Sequence, residues 1–499
     1  MNRVACVVFL FITAVALAAP QREITNVEVV QVPVYVTAQG QAVRGLGQDN
    51  FQLFVNGKPQ PIDYFDVIDF ARFDASRPDP RQRRLYLLVF DLVFTTPDAV
   101  YRAQAAAAKY VDAAPDSDLF AIASYTSNRG LQLVVPFTRD RLAVRGAINR
   151  LREKDTGDPL RLAMTLGERS AILDANMRFD GGIAARDGNQ AIQTMLLEPL
   201  LRIAGNEIDE LGDVATRLAP LEGQKHLVLL STGFDTSMFR SPAGFGGRDD
   251  TRRAGLTPQR SAFSFGDPSI MHRLRTMHEK FTAAGVFLDA VDVFGLAGPW
   301  EPSNNEALFA LTLNTGGSVI HNRNDLTAAM QTLADRQRVV YVLGFHAGNT
   351  GREKNSISVK VRNTPGGSRV NYRPSYSTTL PKPSSTDGLR LADILQNDIP
   401  QTGMTVSAGV TSAGRSATVS VDIPSTELAA LAGIGKGEGD ALIYIYSGHA
   451  VVAFDQKMIT ADRSRFTQTF DLPPGRYTAK VLVRWAGVLG FARAAFTVE

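Results

Sequence analysis

The chain has 499 residues, of which 44% are hydrophobic and 21% are charged. This balance excludes an intrinsically disordered tail, which would carry fewer apolar residues and a larger net charge. The formal net charge of +3 argues against a nucleic-acid-binding protein, because such proteins concentrate positive charge on one face. The single cysteine excludes a disulfide framework and a cysteine-based zinc site. At about 100–200 residues per domain, the length predicts roughly three domains.

The first 18 residues have the pattern of an export signal. Arg3 provides a positive charge, residues 4–17 are almost continuously apolar, and Ala16 and Ala18 form an A-x-A cleavage site. The apolar run is shorter than the roughly 20 residues that a membrane-spanning helix needs. We therefore predict that residues 1–18 are removed and that the mature protein is periplasmic or extracellular, with no stable membrane span. An uncleaved N-terminal anchor is the alternative interpretation.

Residues 24–70 show the alternation of apolar and polar residues that is typical of β-strands. Four valines between positions 30 and 36 fall on one face of a strand, and Asn56-Gly57 is a typical hairpin turn. A similar β pattern returns at residues 339–376. Units of only two or three strands are marginally stable. We therefore predict that residues 24–70 and 339–376 pair into one split β-sandwich.

Residues 84–338 alternate between buried strand patterns and helix patterns. Residues 85–90 are continuously apolar, as expected for a strand covered on both faces, and residues 99–111 are rich in alanine at helical spacing. This order predicts a doubly wound α/β domain with a mostly parallel sheet, inserted into the split sandwich. Two polar inserts interrupt it, at 152–190 and 236–270, and a loop as long as the second is functional or mobile.

The last part of the chain returns to β patterns. Residues 377–388 are rich in Thr, Pro and Ser and indicate a linker. Residues 389–499 show short strand patterns between Gly, Pro and Asp turns. Residues 472–478 resemble the penultimate turn of an immunoglobulin-like sandwich, in which Gly475 bends the chain and Tyr477 enters a strand. We predict an all-β, immunoglobulin-like sandwich here.

Six segments between residues 25 and 376 carry a resemblance to a known family. They are Val32 to Thr37, Gly45 to Pro59, Leu87 to Asp91, Pro136 to Asp140, Lys225 to Phe234 and Tyr341 to Gly344. In this order they resemble the von Willebrand factor type A-like family of exported acidobacterial proteins. The resemblance implies a central sheet wrapped by helices. It also implies a ligand site at the carboxyl ends of the strands, where open α/β sheets bind ligands.

In the wider superfamily this site holds Mg²⁺ through an Asp-x-Ser-x-Ser motif, a threonine from a second loop and a later aspartate, all hard oxygen ligands. The candidate metal ligands that the resemblance implies are Asp91, Thr95, Thr156 and Asp235. Val93 and Thr232 stand where two further ligands are expected, so the motif is degenerate. Two interpretations stay open: a Mg²⁺ site, or a structural carboxylate at Asp91 that caps the following helix. The small number of oxygen ligands favours the structural carboxylate over the Mg²⁺ site.

We interpret the chain as an exported, non-enzymatic protein-interaction or adhesion module built on a degenerate type A domain. The resemblance implies a protein partner at the strand edge, and the sequence indicates neither its identity nor the oligomeric state. The candidate partner contacts are Thr232, Phe234 and Trp300. Sequence motifs of zinc proteases, serine hydrolases and P-loop proteins are absent. The alternatives are an envelope-associated enzyme or enzyme accessory with a pocket near Asp91 and Asp292, and a purely structural envelope module.

Overall fold

The computed structural model describes residues 29–72, 80–151, 183–234, 268–296, 305–347, 353–377, 388–432, 438–460 and 464–499. The described part begins with β1 (Val29–Ala38), β2 (Gln41–Ala42), β3 (Phe51–Val55), β4 (Lys58–Gln60) and β5 (Tyr64–Asp69). In β3, the alternation predicted from the sequence corresponds to an alternation in burial. Its odd-numbered residues are buried and its even-numbered residues are half-buried, because successive side chains of a strand point to opposite faces.

An α/β domain follows these strands. Its strands are β6 (Arg84–Asp91), β7 (Asp118–Thr126), β8 (Gly130–Thr138), β9 (Gln224–Ser231), β10 (Val286–Asp292) and β11 (Val319–Ile320). Its helices are α1 (Pro97–Ala113), α2 (Arg141–Arg150), α3 (Ile183–Leu218), α4 (Pro268–Ala284), α5 (Asn305–Thr312) and α6 (Leu326–Arg336).

The six strands of this domain form one mixed sheet in the order β11-β10-β9-β6-β7-β8. All neighbouring strands pair in parallel except β8, which runs antiparallel to β7. Every residue of β6, β7 and β10 is buried, because helices cover both faces of the sheet. One apolar core contains α3, α4 and α5, and the other contains α1, α2 and α6. The carboxyl ends of the parallel strands therefore share one exposed edge.

The strands that follow the α/β domain pair with those that precede it. They are β12 (Val339–His346), β13 (Lys354–Val361), β14 (Arg369–Tyr372) and β15 (Ser375–Ser377). One sheet has the order β14-β1-β12-β5, with β2 at the side of β1, and the other has the order β15-β13-β3-β4. Val34 lies opposite Tyr341 in the β1–β12 register. The two sheets enclose a shared apolar core. The apolar face of each sheet is therefore buried against the apolar face of the other.

The described residues of the C-terminal unit form two sheets and two helices. Its elements are α7 (Gly388–Asn397), β16 (Ser407–Ala413), β17 (Ser416–Asp422), α8 (Ser425–Ala432), β18 (Glu438–Ser447), β19 (Ala450–Thr460), β20 (Arg465–Asp471), β21 (Gly475–Trp485) and β22 (Val488–Val498). The sheet orders are β16-β17-β20 and β19-β18-β21-β22. The hydroxyl of Tyr477 donates to the carbonyl of Pro473 at 2.8 Å, the arrangement of a tyrosine corner.

The two helices correct the expectation that residues 389–499 are all-β. Helix α7 begins where the linker was expected to end. Its residues Ile394 and Leu395 join an apolar cluster with β18, β21 and β22. The helix forms because leucine and isoleucine recur at a spacing of three to four residues between 389 and 395.

Helix α7 also fixes the C-terminal unit to the α/β domain. The guanidinium of Arg83 forms a bidentate ion pair with Asp393, and both side chains are buried. Arg83 Nε donates to the carbonyl of Glu222 at 3.0 Å, and the amide of Asn397 donates to the carbonyl of Phe137 at 3.0 Å. The bond to Glu222 holds Arg83 within the α/β domain, while the bonds of Asp393 and Asn397 join the two domains, so the domain contact is specific.

We expect the Arg83→Met substitution to destabilise the protein by about 3–5 kcal/mol, because it leaves the buried carboxylate of Asp393 without its countercharge. Urea denaturation followed by circular dichroism measures the loss. Arg415→Met is the matched control: Arg415 pairs with Asp471, and both side chains are exposed, so the expected cost is about 0–1 kcal/mol. Equal effects of the two substitutions would contradict the structural importance of the buried pair.

Candidate functional site

Three polar residues end adjacent parallel strands at the carboxyl edge of the α/β sheet. Asp91 ends β6, Ser231 ends β9 and Asp292 ends β10. All three side chains are buried. They lie side by side because β6, β9 and β10 are neighbours in the sheet. This edge is the candidate functional site, and we refer to it as the carboxyl edge.

The carboxylate of Asp91 organises the turn that follows β6. Its Oδ1 atom accepts hydrogen bonds from the backbone amides of Val93 at 2.9 Å and Phe94 at 3.0 Å. Its Oδ2 atom accepts a hydrogen bond from the hydroxyl of Ser231 at 2.5 Å. Only 1% of Asp91 is exposed, and this burial raises its pKa although the hydrogen bonds oppose the shift. Both oxygens are therefore engaged within the protein.

Thr95 and Thr232 join the loops that follow β6 and β9. The backbone amide of Thr232 donates to the Thr95 hydroxyl at 3.3 Å. The hydroxyl of Thr232 donates to the carbonyl of Phe94 at 2.6 Å, and the amide of Gly233 donates to the hydroxyl of Ser231 at 2.8 Å. The structure thus brings together Asp91, Thr95 and Thr232, but as a network that fixes two loops.

Phe234 packs into this network and does not present its ring to solvent. Its side chain is 2% exposed and meets the ring of Phe94 edge to face, with ring centroids 5.5 Å apart. Thr232 is buried as well. We expected Thr232 and Phe234 to contact a partner directly, but both side chains are buried. They instead pack beneath the loops and stabilise them.

Glu207 is a buried acidic residue beside the carboxyl edge that the sequence analysis did not identify. It lies on α3 and is 1% exposed, and neither carboxylate oxygen has a hydrogen-bond partner among the residues that the structure describes. Burial raises its pKa well above the ordinary value, and the nearby Asp91 and Glu210 raise it further. A sequence signal existed, because Ala204, Ile208 and Leu211 share its helical face.

The carboxyl group of Asp292 is also perturbed. Burial raises its pKa to about 6. Hydrogen bonds from backbone amides and the electrostatic influence of His321 and Arg102 oppose this shift. Its Oδ1 atom accepts from the amide of Phe294 at 2.9 Å. Asp292 therefore has the same local role as Asp91: it holds the turn after its strand.

The described residues at this edge do not fit a Mg²⁺ site. Asp91 has both oxygens engaged with hydrogen-bond donors, and a Mg²⁺ ion needs several free oxygen ligands in octahedral geometry. The described ranges contain no group of three or more His, Cys, Asp or Glu side chains arranged to hold a metal. The geometry agrees with a structural carboxylate at Asp91, but this carboxylate bonds the turn after β6 and does not cap α1, which begins at Pro97. Thr156, Asp235 and Trp300 lie outside the described residues.

No family model and no curated protein matches the chain. Among solved structures, it is similar to an aerotolerance-related membrane protein from Bacteroides fragilis, with 10% identity, 50% of this chain and 97% of the other covered, and a TM-score of 0.27. A von Willebrand factor type A protein from Catenulispora acidiphila has 12% identity over 83% of this chain and 66% of its own, with a TM-score of 0.27.

A third similar structure is proximal thread matrix protein 1 from the mussel byssus, whose MIDAS motif is occupied by zinc. It has 12% identity, covers 57% of this chain and 50% of its own, and has a TM-score of 0.27. At such TM-scores these likenesses add nothing to what the chain's own geometry shows. Among the helices that the structure describes, none has the length and apolar character that crossing a membrane requires.

We expect the Glu207→Gln substitution to stabilise the fold at neutral pH. The raised pKa of Glu207 means that the folded wild type keeps a proton that the unfolded chain releases above about pH 4.3. Wild-type stability therefore falls by about 1.4 kcal/mol per pH unit from there up to the folded-state pKa. Glutamine does not titrate, so the stability of the variant should not show this fall with pH.

Urea denaturation at about pH 4 and about pH 7.5 tests this expectation, since the advantage of the variant should be present only at the higher pH. Glu222→Gln is the matched control, because Glu222 is exposed and should give no such gain. If the advantage of Glu207→Gln over wild type is no larger at about pH 7.5 than at about pH 4, the pKa of Glu207 is not raised in the fold.

Proposed function

We propose that the chain is an exported, non-enzymatic protein-interaction module that binds a protein partner at the carboxyl edge. The observation that carries this proposal is the network of Asp91, Ser231, Thr95 and Thr232, which holds two loops in one conformation through internal hydrogen bonds. A surface that is rigid before binding loses less conformational entropy when a partner docks. The export signal predicted for residues 1–18 supports a partner outside the cytoplasm.

The loop after β10 supplies a hydrophobic contact point on this edge. Leu296 is 59% exposed, although the backbone of residues 293–296 is held in place. Its backbone amide donates to the side chain of Asn324 at 2.9 Å, and Arg102 donates to the carbonyls of Val293 and Phe294, each at 3.1 Å. A fixed, exposed leucine is suited to be the apolar anchor of an interface.

The enzyme alternative near Asp91 and Asp292 has less support. A general acid or base must reach a substrate proton, whereas both carboxyl groups are buried and accept hydrogen bonds from the backbone of their own turns. The degenerate metal motif has the same difficulty, because Asp91 has no uncommitted oxygen. We therefore propose that the edge acts through its shape and its apolar surface.

Chemical cross-linking and affinity capture from envelope extracts test the proposal. We expect Leu296→Asp to reduce capture of the partner about tenfold or more, because a charge replaces an apolar anchor. The matched control is Leu142→Asp. Leu142 is 77% exposed and lies at the start of α2, near the amino end of β7, since Thr138 pairs with Phe120. This variant should capture the partner as wild type does.

Capture with and without EDTA separates the metal interpretations. A partner retained in EDTA supports a metal-free contact. A partner lost in EDTA but retained by Asp91→Ala would place a metal elsewhere in the chain. Wild-type capture by Leu296→Asp would show that the carboxyl edge is not the docking surface.

A further inference from the structure

A cavity of about 380 Å³ lies between the split sandwich and the α/β domain. It is far from the carboxyl edge in the fold, because its α/β wall contains His226 and Phe287, from the first half of β9 and of β10. The opposite wall comes from the split sandwich, with Thr37 on β1 and Asn371 on β14. Its volume is within the range of small-molecule sites, roughly 300–1,000 Å³.

Two arginines from different domains line this cavity. Arg336 ends α6 of the α/β domain, and Arg369 begins β14 of the split sandwich. Neither guanidinium has a hydrogen bond or an ion pair with any residue that the structure describes. Burial and the positive charges of Arg369 and Arg323 lower the pKa of Arg336, while the negative charge of Asp289 opposes this shift. Two like charges thus line one cavity, and neither forms a direct ion pair with an acidic side chain of the described residues.

The carboxylate of Asp289 lines the same cavity, but its oxygens are already engaged. Oδ1 accepts from the amide of Ser318 at 2.9 Å. Oδ2 accepts from the side-chain amide of Gln337 at 2.7 Å and lies 3.1 Å from Nδ1 of His226. Asp289 therefore bonds donors of the cavity floor and forms no direct ion pair with either arginine, although its charge partly balances that of Arg336.

We propose that this cavity binds a small oxyanion, a ligand with a carboxylate or phosphate group, between Arg336 and Arg369. A planar guanidinium presents a fork of donors that matches the oxygens of a carboxylate or a phosphate. Thr37 and Asn371 add a hydroxyl and an amide that can bond the rest of the ligand. Because the two arginines belong to different domains, the bound anion connects the split sandwich to the α/β domain.

Calorimetric titration and thermal unfolding of the full chain test the proposal, with inorganic phosphate and succinate as probes and the uncharged succinamide as the control compound, at constant ionic strength. A ligand that binds only the folded state raises the unfolding temperature with its concentration. Stabilisation by phosphate alone assigns the site to a phosphate group, and stabilisation by succinate alone assigns it to a carboxylate. Either result supports an oxyanion site.

The variant that tests the site is Arg369→Gln, which should fold because Arg369 is exposed. We expect its Kd for the anion to rise about tenfold or more, since one of two charge-assisted contacts is lost. Arg362→Gln, at an exposed arginine outside the cavity, should bind as wild type does. Leu296→Asp should also bind normally, which separates this site from the carboxyl edge.

Three results would overturn the proposal. The first is no binding of either anion. The second is an equal effect of succinate and succinamide. The third is an unchanged Kd in Arg369→Gln.

Discussion

The junction between the α/β domain and the split sandwich depends on a chain of buried hydrogen bonds that runs from the carboxylate of Asp289 through His226 to Tyr35. Gln337, Ser318 and His226 surround this carboxylate, and Nε2 of His226 lies 3.1 Å from the hydroxyl of Tyr35 on β1. These groups come from separate elements of the chain. A buried polar group without a partner costs about 1–3 kcal/mol, so all of them must assemble together. This requirement fixes how the two domains sit against each other, and the cavity between them follows from it.

The sheet of the α/β domain consequently has two ends with different properties. At the carboxyl edge, hydrogen bonds of Asp91 and Thr232 hold the loops from below while Leu296 stays exposed. At the other end the split sandwich packs against the sheet and forms one wall of the arginine-lined cavity. An open, preorganised edge suits a protein surface as ligand, whereas a concave pocket with charged groups suits a small molecule. The architecture can therefore carry two separate binding functions.

Much of the local structure could be predicted from the sequence. Continuous apolar runs predict strands that are covered on both faces, and β6 is such a strand. The resemblance placed Asp91, Thr95 and Thr232 near one another, and the structure brings them into one hydrogen-bonded network. The resemblance did not indicate that the polar atoms of these residues would form hydrogen bonds within the network. A motif specifies residue types and their spacing, but it does not specify the partner of each hydrogen bond. Helix α7 was missed because its short amphipathic pattern follows a Pro- and Ser-rich segment.

By itself, the sequence determined the alternation of strands and helices and the absence of a cysteine framework, because periodicity and composition are local properties. Only the tertiary structure decided which distant residues meet. The pairing of Val34 with Tyr341, the burial of Glu207 near Asp91 and the lining of one cavity by Arg336 and Arg369 all join residues far apart in the chain. Such contacts form because separate elements must bury apolar faces and satisfy polar groups together, and no local pattern records that requirement.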